Sequence, residues 1–258
     1  MTLDHARRFF IRALTLARAE FAVLAALMVA AIGVMTFAEV ADDMTGADGQ
    51  AFDQQVLAWM RPYADDPGRP WGPWWLKEAA ADITSLGGIS VLGLFAVIVI
   101  LFLLSQRKWL SSVLLAAGLA SGVGLSEGLK AVFERERPPV AAQAVETINA
   151  SFPSGHALLS TVFYLSVAVM LTQAFPRRRF KLFVLGVGVV LAMLVGLTRV
   201  YLGAHWASDV FAGWAVGAAW AMILWLIAHA AARFQKARHA PLQDAPSPLD
   251  PGRDPTKV

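Results

Sequence analysis

Residues 151–157 read Ser151-Phe152-Pro153-Ser154-Gly155-His156-Ala157, and they stand between two long apolar segments. Pro153 and Gly155 mark a turn, and Ser154 stands just before an apolar run from 157 to about 175, the pattern of a helix N-terminus. That run is close to the ~20 residues that cross a bilayer as a helix. Five more runs of similar kind lie around it, at about 21–38, 87–104, 109–133, 182–197 and 210–231. The chain is 57% hydrophobic and 16% charged, with a mean hydropathy of +0.55, which is too apolar for an ordinary soluble domain. These features predict an all-α polytopic membrane protein with six transmembrane helices in one domain, 21–231. A cytoplasmic N-terminal segment (1–20) precedes it, and a Pro- and Asp-rich cytoplasmic tail (232–258) expected to be disordered follows.

The first apolar run is longer than the core of a typical signal peptide, although Thr36 and Ala38 are small enough for a cleavage site, so it is read as a retained helix. Residues 39–86 are read as an outer loop rich in Asp, Gly, Pro and Trp, with a short amphipathic piece at 51–60. Trp71, Trp74 and Trp75 within it fit an interfacial anchor. There is no cysteine, hence no disulfide, thiolate metal site or thiol nucleophile.

Six spans put both termini on one side, and the basic residues say which. The N-terminal segment, Arg107 with Lys108, the run Arg177 to Lys181 and the tail from Arg233 hold 15 of the 22 Lys and Arg, all on one face. That face is expected to be cytoplasmic, so the positive net charge marks orientation and no nucleic-acid partner is expected. Lys130, Arg135, Arg137 and Arg199 break the rule by falling on the outer side.

Lys130 lies near the outer end of the third span, and Arg137-Pro138 follows where proline redirects the chain. Arg199 closes the fifth span, Ser154-Gly155-His156 opens the fourth, and His205 with Asp209 opens the sixth. Topology alone thus gathers three cations, two imidazoles and a carboxylate at one face. Clustered cations without matching acids fit an anion, and guanidinium forks fit phosphate oxygens. Backbone N–H groups around Ser154 and Gly155 would add donors at a helix start, and Gly155 leaves room for the anion. His205 and Asp209 are four residues apart, so on a helix the carboxylate can hold one ring nitrogen protonated while the other attacks. His156 is then free to act as a general acid. Glu127 and Glu134 are spaced to pair with Lys130, Ser151 to cap the following turn, and Arg135 to touch either headgroups or substrate. His229, near the inner end of the sixth span, is read as a structural hydrogen-bonder.

Lys130-x6-Arg137-Pro138, Pro153-Ser154-Gly155-His156 and Arg199-x5-His205-x3-Asp209 together resemble the three-part signature of the phosphatidic acid phosphatase type 2 superfamily, the integral-membrane lipid phosphatases. The resemblance implies a metal-independent, cofactor-free, two-step phosphoryl transfer at the outer face of the cell membrane. By similarity, His205 is the nucleophile that forms a phosphohistidine, Asp209 orients it, and His156 protonates the leaving group. Lys130, Arg137, Ser154, Gly155 and Arg199 bind the phosphoryl oxygens. One departure is Thr198 where the family usually has serine before the arginine; the hydroxyl is retained.

The implied substrate is a lipid phosphate or diphosphate, with phosphatidic acid, phosphatidylglycerophosphate and undecaprenyl diphosphate all compatible. A lipid phosphotransferase using the same intermediate with an acceptor other than water is the alternative. A transporter with a cationic headgroup gate is a third reading, disfavoured because transporter sites lie near the bilayer midplane while these residues sit at helix ends.

Overall fold

The protein, seen in a computed structural model, is described over residues 3–44, 46–145 and 149–238. Those residues form eight α-helices and no strand. They are α1 (Leu3–Asp43), α2 (Ala47–Met60), α3 (Trp74–Ser85), α4 (Ile89–Ser105), α5 (Trp109–Phe133), α6 (Gly155–Ala174), α7 (Arg178–Tyr201) and α8 (Ala207–Arg238), with one 3-10 turn at Val140–Ala142. Helix is the form that lets an apolar stretch satisfy its own backbone where no water is available. Five helices are long and apolar enough to cross a membrane: α1 from Glu20, α5, α6, α7 and α8 to Phe234.

The stretch expected to cross straight at 87–104 is a broken element, a sixth span only if its two parts count as one. It is a bent pair, α3 and α4, which meet at 46° and together have the length and apolarity of a span. The corner is Gly87-Gly88, where a Cβ on Gly87 would stand 2.3 Å from Val195 Cγ1 and 3.2 Å from the His156 carbonyl oxygen. Only a glycine lets the corner sit this tightly against α6 and α7. The 39–86 stretch is accordingly more ordered than a loop, since α2 and α3 lie within it. At the other end of the chain α8 continues to Arg238, past the boundary expected at 231; the tail beyond 238 lies outside the described residues.

α8 packs most extensively on α1 and α6, and α6 also packs on α7. Leu115, Leu158, Leu159, Val162, Phe163 and Val216 form the main core where α5, α6 and α8 meet. Gly213 and Gly217 on α8 bring its backbone almost onto α6, because a Cβ at Gly213 would stand 2.7 Å from the Ser154 carbonyl oxygen and one at Gly217 2.7 Å from that of Leu158. Small residues four apart are the usual means of such an approach between membrane helices. Its consequence is to place the start of α6 beside the start of α8.

An aromatic cluster holds the connecting segments above this junction. Phe152 stacks on Phe37 of α1 at 5.6 Å and meets Phe133 of α5 edge-on at 4.9 Å. Ser151, expected to cap the turn that follows, instead donates its hydroxyl to the Glu136 carbonyl (3.0 Å) while its N–H bonds Arg135 O (2.9 Å). It thus laces residues 149–153 to the segment leaving α5.

Candidate active site

α5 and α7 end, and α6 and α8 begin, at the same end of the bundle. His205 lies in the short α7–α8 connection, 3% exposed. Its Nδ1 faces Asp209 Oδ2 at 3.3 Å and its Nε2 faces Arg137 Nη1 at 3.2 Å. A guanidinium can only donate, so Nε2 accepts and the ring proton sits on Nδ1, where it donates to Asp209. Asp209 stands at the third position of α8, and the same Oδ2 accepts the backbone N–H of Trp206 (2.9 Å), as the acid of a capping box does. Burial drives the His205 pKa down to about 4, against the pull of Asp209 and with help from Arg199 and Arg137. The imidazole is therefore neutral at pH 7, and its unprotonated nitrogen is Nε2, which Arg137 covers with a long contact.

A cavity of about 380 Å³ opens beside that nitrogen, and Lys130, Arg137, Gly155, His156, Arg199 and His205 all line it. Arg137 is held by donating to the carbonyls of Asn149 (2.5 Å) and Ala204 (2.6 Å). Burial lowers its pKa, with Asp209 and Glu127 opposing. Lys130 pairs with Glu127 at 2.8 Å. Glu134, also expected to pair with it, instead ends α5 in a left-handed conformation (φ 43°), and no ion pair joins the two.

Arg199 reaches Thr84 of α3 with one Nη at 3.4 Å, while its buried Nε has no partner among the described residues. Ser126 Oγ, one turn before Lys130, is likewise buried and unpartnered. The N–H groups of Gly155 and His156, the first of α6, also make no bond among the described residues. A Cβ on Gly155 would stand 3.1 Å from Ser126 Oγ and 3.6 Å from Lys130 Nζ, so its absence keeps the cavity open between cation and backbone. The cavity thus collects donors that want an acceptor.

Two of the eight residues picked out from sequence do not line it. Asp209 is fully buried behind His205. Ser154, also fully buried, caps α6 through a long contact to the Ala157 N–H (3.5 Å) and gives its own N–H to Asp209 O (2.9 Å). The Ser154 N–H is therefore spent on α8 and is not an anion donor. His156 lies against the α3–α4 corner, its Nε2 3.7 Å from where a Cβ of Gly88 would be. The Thr198 hydroxyl turns back to Val195 O at 2.7 Å, a helix-internal bond away from the cavity. His229, expected to hydrogen-bond, stacks on Trp225 at 5.1 Å with Nε2 unpartnered.

Residues 111–233 match the model of the PAP2 superfamily. Over 144 residues the chain is 35% identical to phosphatidylglycerophosphatase B of Bacillus subtilis (strain 168), a match covering 55% of this chain and 70% of that protein. The chain belongs to the PAP2 superfamily. A second PAP2-related match is the undecaprenyl-diphosphatase of Sulfolobus acidocaldarius, 32% identical over 122 residues, which are 45% of this chain and 55% of that one. Among solved structures, the PAP2 type phosphatidylglycerolphosphate phosphatase of Bacillus subtilis superposes with a TM-score of 0.72 at 27% identity, over 80% of this chain and 98% of that one. All eight site residues named from sequence fall inside the PAP2-matched segment, whereas Thr84, which the structure adds, falls outside it.

Proposed function

We propose that this protein is a lipid phosphatase that hydrolyses a lipid phosphate or diphosphate, taking its terminal phosphoryl group through a phosphohistidine on His205, without a metal. The observation that carries the reading is the pairing of one unprotonated imidazole nitrogen with a cavity walled by three cations, the carboxylate being tucked behind the ring. In the first step the Nε2 lone pair attacks phosphorus, the bond to the lipid oxygen breaks, and His156, held as the imidazolium by the charge of the bound phosphate, gives that oxygen a proton. In the second, water loses a proton to His156 and attacks the same phosphorus; the P–N bond breaks and phosphate leaves. Lys130, Arg137 and Arg199, with the N–H groups of Gly155 and His156, balance the charge that gathers on the phosphoryl oxygens.

The cavity's rim supports a lipid substrate. Ile89 and Val123 line it together with Leu159, and Ile89 is 70% exposed on α4, so an apolar chain can lie on the bilayer side while its phosphate enters between α4 and α5. The relatives' names point to phosphatidylglycerophosphate and undecaprenyl diphosphate as the first substrates to try. The distribution of basic residues supports an inner-membrane protein with cytoplasmic termini and this site facing outward.

The test is phosphate release by the detergent-solubilised protein in EDTA from phosphatidic acid, phosphatidylglycerophosphate, undecaprenyl diphosphate and a soluble ester. Rapid quenching in base should trap an acid-labile phosphoenzyme that His205→Ala lacks. Release from none of the lipids, or a strict need for divalent metal, would overturn the reading.

A further inference from the structure

Arg135 belongs to none of the three sequence motifs, yet its guanidinium bridges two buried carboxylates beside the site. One Nη1 lies 2.6 Å from Asp209 Oδ1 and 2.7 Å from Ser208 Oγ, and Nη2 lies 2.7 Å from Asp53 Oδ2. Asp53 comes from α2, some 80 residues away in sequence, and is 2% exposed. Its Oδ1 accepts the Ser208 backbone N–H (3.0 Å) and its Oδ2 the Ser208 hydroxyl (2.5 Å), so it caps the first turn of α8 from outside.

We propose that Arg135 and Asp53 are positioning residues for the His205–Asp209 pair, and that α2 is thereby a working part of the active site. The inference rests on the assignment of His205 as nucleophile. Asp209 is fully buried, and a buried carboxylate facing only a neutral ring and a backbone N–H would be poorly compensated. Arg135 supplies the missing charge and does so at Oδ1, which leaves Oδ2 aimed at His205 Nδ1 and Trp206 N. The two oxygens of one rigid group are thus fixed by different partners, and freeing Oδ1 lets Oδ2 swing. Asp53 in turn holds Arg135 by its second nitrogen and keeps Ser208 between them. Without α2 the guanidinium has one anchor instead of two.

A merely structural brace and a positioning pair differ in what they do to the imidazole. With Arg135 removed, the Asp209 charge acts on His205 uncompensated and favours the imidazolium, which has no lone pair to attack with. The other groups that face the pair stay in place: Arg199 from α7, Arg137 from the α5–α6 segment, His156 from α6 and Lys130 from α5.

The experiment is a pH titration of ¹⁵N-histidine-labelled full-length protein in micelles by NMR, with the His205 signals assigned by their loss in His205→Gln. In the wild type His205 is expected to be neutral and protonated on Nδ1 at pH 6. In Arg135→Gln its midpoint should rise by about one pH unit or more, and kcat should fall on the order of tenfold to a hundredfold with KM little changed. Arg135→Lys, which keeps the charge but cannot bridge both carboxylates, should fall between the two, and carries the test if the glutamine variant does not fold. A His205 midpoint that stays put in both variants overturns the proposal. Because this readout needs no turnover, a shifted midpoint in a protein that hydrolyses no lipid phosphate would sink the phosphatase reading alone. An unmoved midpoint in an active enzyme would sink the positioning role alone.

Discussion

Asp209 serves His205 and the start of α8 with a single oxygen: Oδ2 is 3.3 Å from His205 Nδ1 and 2.9 Å from the Trp206 N–H. Orientation of the nucleophile and capping of its helix are therefore one constraint. Asp209→Asn can preserve the cap through the amide oxygen but loses the charge that steadies the ring as Nε2 bonds to phosphorus, and it turns an NH2 group toward Arg135. Its kcat should drop by roughly 10² to 10⁴, measured by steady-state kinetics at a temperature where a melt in detergent shows the variant still folded, although loss of the Arg135 ion pair also lowers the thermal midpoint. A midpoint collapse equal to the loss of rate would show that Asp209 acts as a cap only.

The burial of His205 fixes the sign of a pH effect. Its pKa lies at about 4, below the ordinary histidine value, and the neutral form is the one that attacks. Activity is thus present above about pH 4 and is lost as pH falls through it. With the substrate's own ionisation factored out, kcat/KM should show no histidine-like loss between pH 7 and 5.5. A limb centred near the ordinary ~6.5 would mean that His205 is solvated or is not the nucleophile.

Arg199 meets the cavity with an unpartnered Nε and a weakly held Nη1. Such a fork can take two phosphoryl oxygens at once, which an ammonium cannot. Arg199→Lys should therefore lower kcat/KM on the order of tenfold or more despite keeping the charge, whereas Thr84→Val, which removes only the long contact, should cost little. Equal activity of Arg199→Lys and the wild type would reduce Arg199 to a point charge.

What could be read from sequence was whatever depends on spacing within one helix or on which end of a span a residue occupies. Lys130, Arg137, His156, Arg199 and His205 all reach one cavity because helix ends alternate across a membrane; the His205–Asp209 contact expected from one helix face is made instead by Asp209 reaching back from the first turn of α8 to a His205 outside the helix. Asp53 and Thr84 were illegible for the opposite reason. Each meets its partner across 80 residues or more, through α2 and α3, in a stretch whose polar composition reads as loop. The bend at Gly87-Gly88 escaped because an apolar run has the same composition whether its helix is straight or broken. Ser151 has the look of a cap, but its hydroxyl is claimed by a carbonyl that only the folded α5 exit brings near.

Close approach of α6 and α8 is what sets His156 opposite His205, and it depends on Gly213. Gly213→Leu puts its Cβ 2.7 Å from the Ser154 carbonyl oxygen and 2.9 Å from Ala157 Cβ, so the helices must part. Overpacking of this kind costs about 1–3 kcal/mol, and separating the two imidazoles should lower kcat by a larger factor than stability alone explains. The check is kcat at a temperature where the variant is still folded. Gly93→Leu, where a Cβ meets nothing within 4 Å, is the control and should leave both quantities unchanged.

The proposed outward orientation of the site is open to direct labelling, since the sequence has no cysteine and any single one is unique. Trp74 begins α3 at the end of the bundle that carries the site and is 76% exposed; Arg179 opens α7 at the other end and is also exposed. In intact cells Trp74→Cys should react with a membrane-impermeant thiol reagent and Arg179→Cys should not, while both react after lysis. The cause is the positive-inside bias of the Arg177 to Lys181 run, which favours retention of that end in the cytoplasm. The reverse labelling pattern would place the cavity on the cytoplasmic face, and a lipid phosphate of the inner leaflet would then be the substrate to seek.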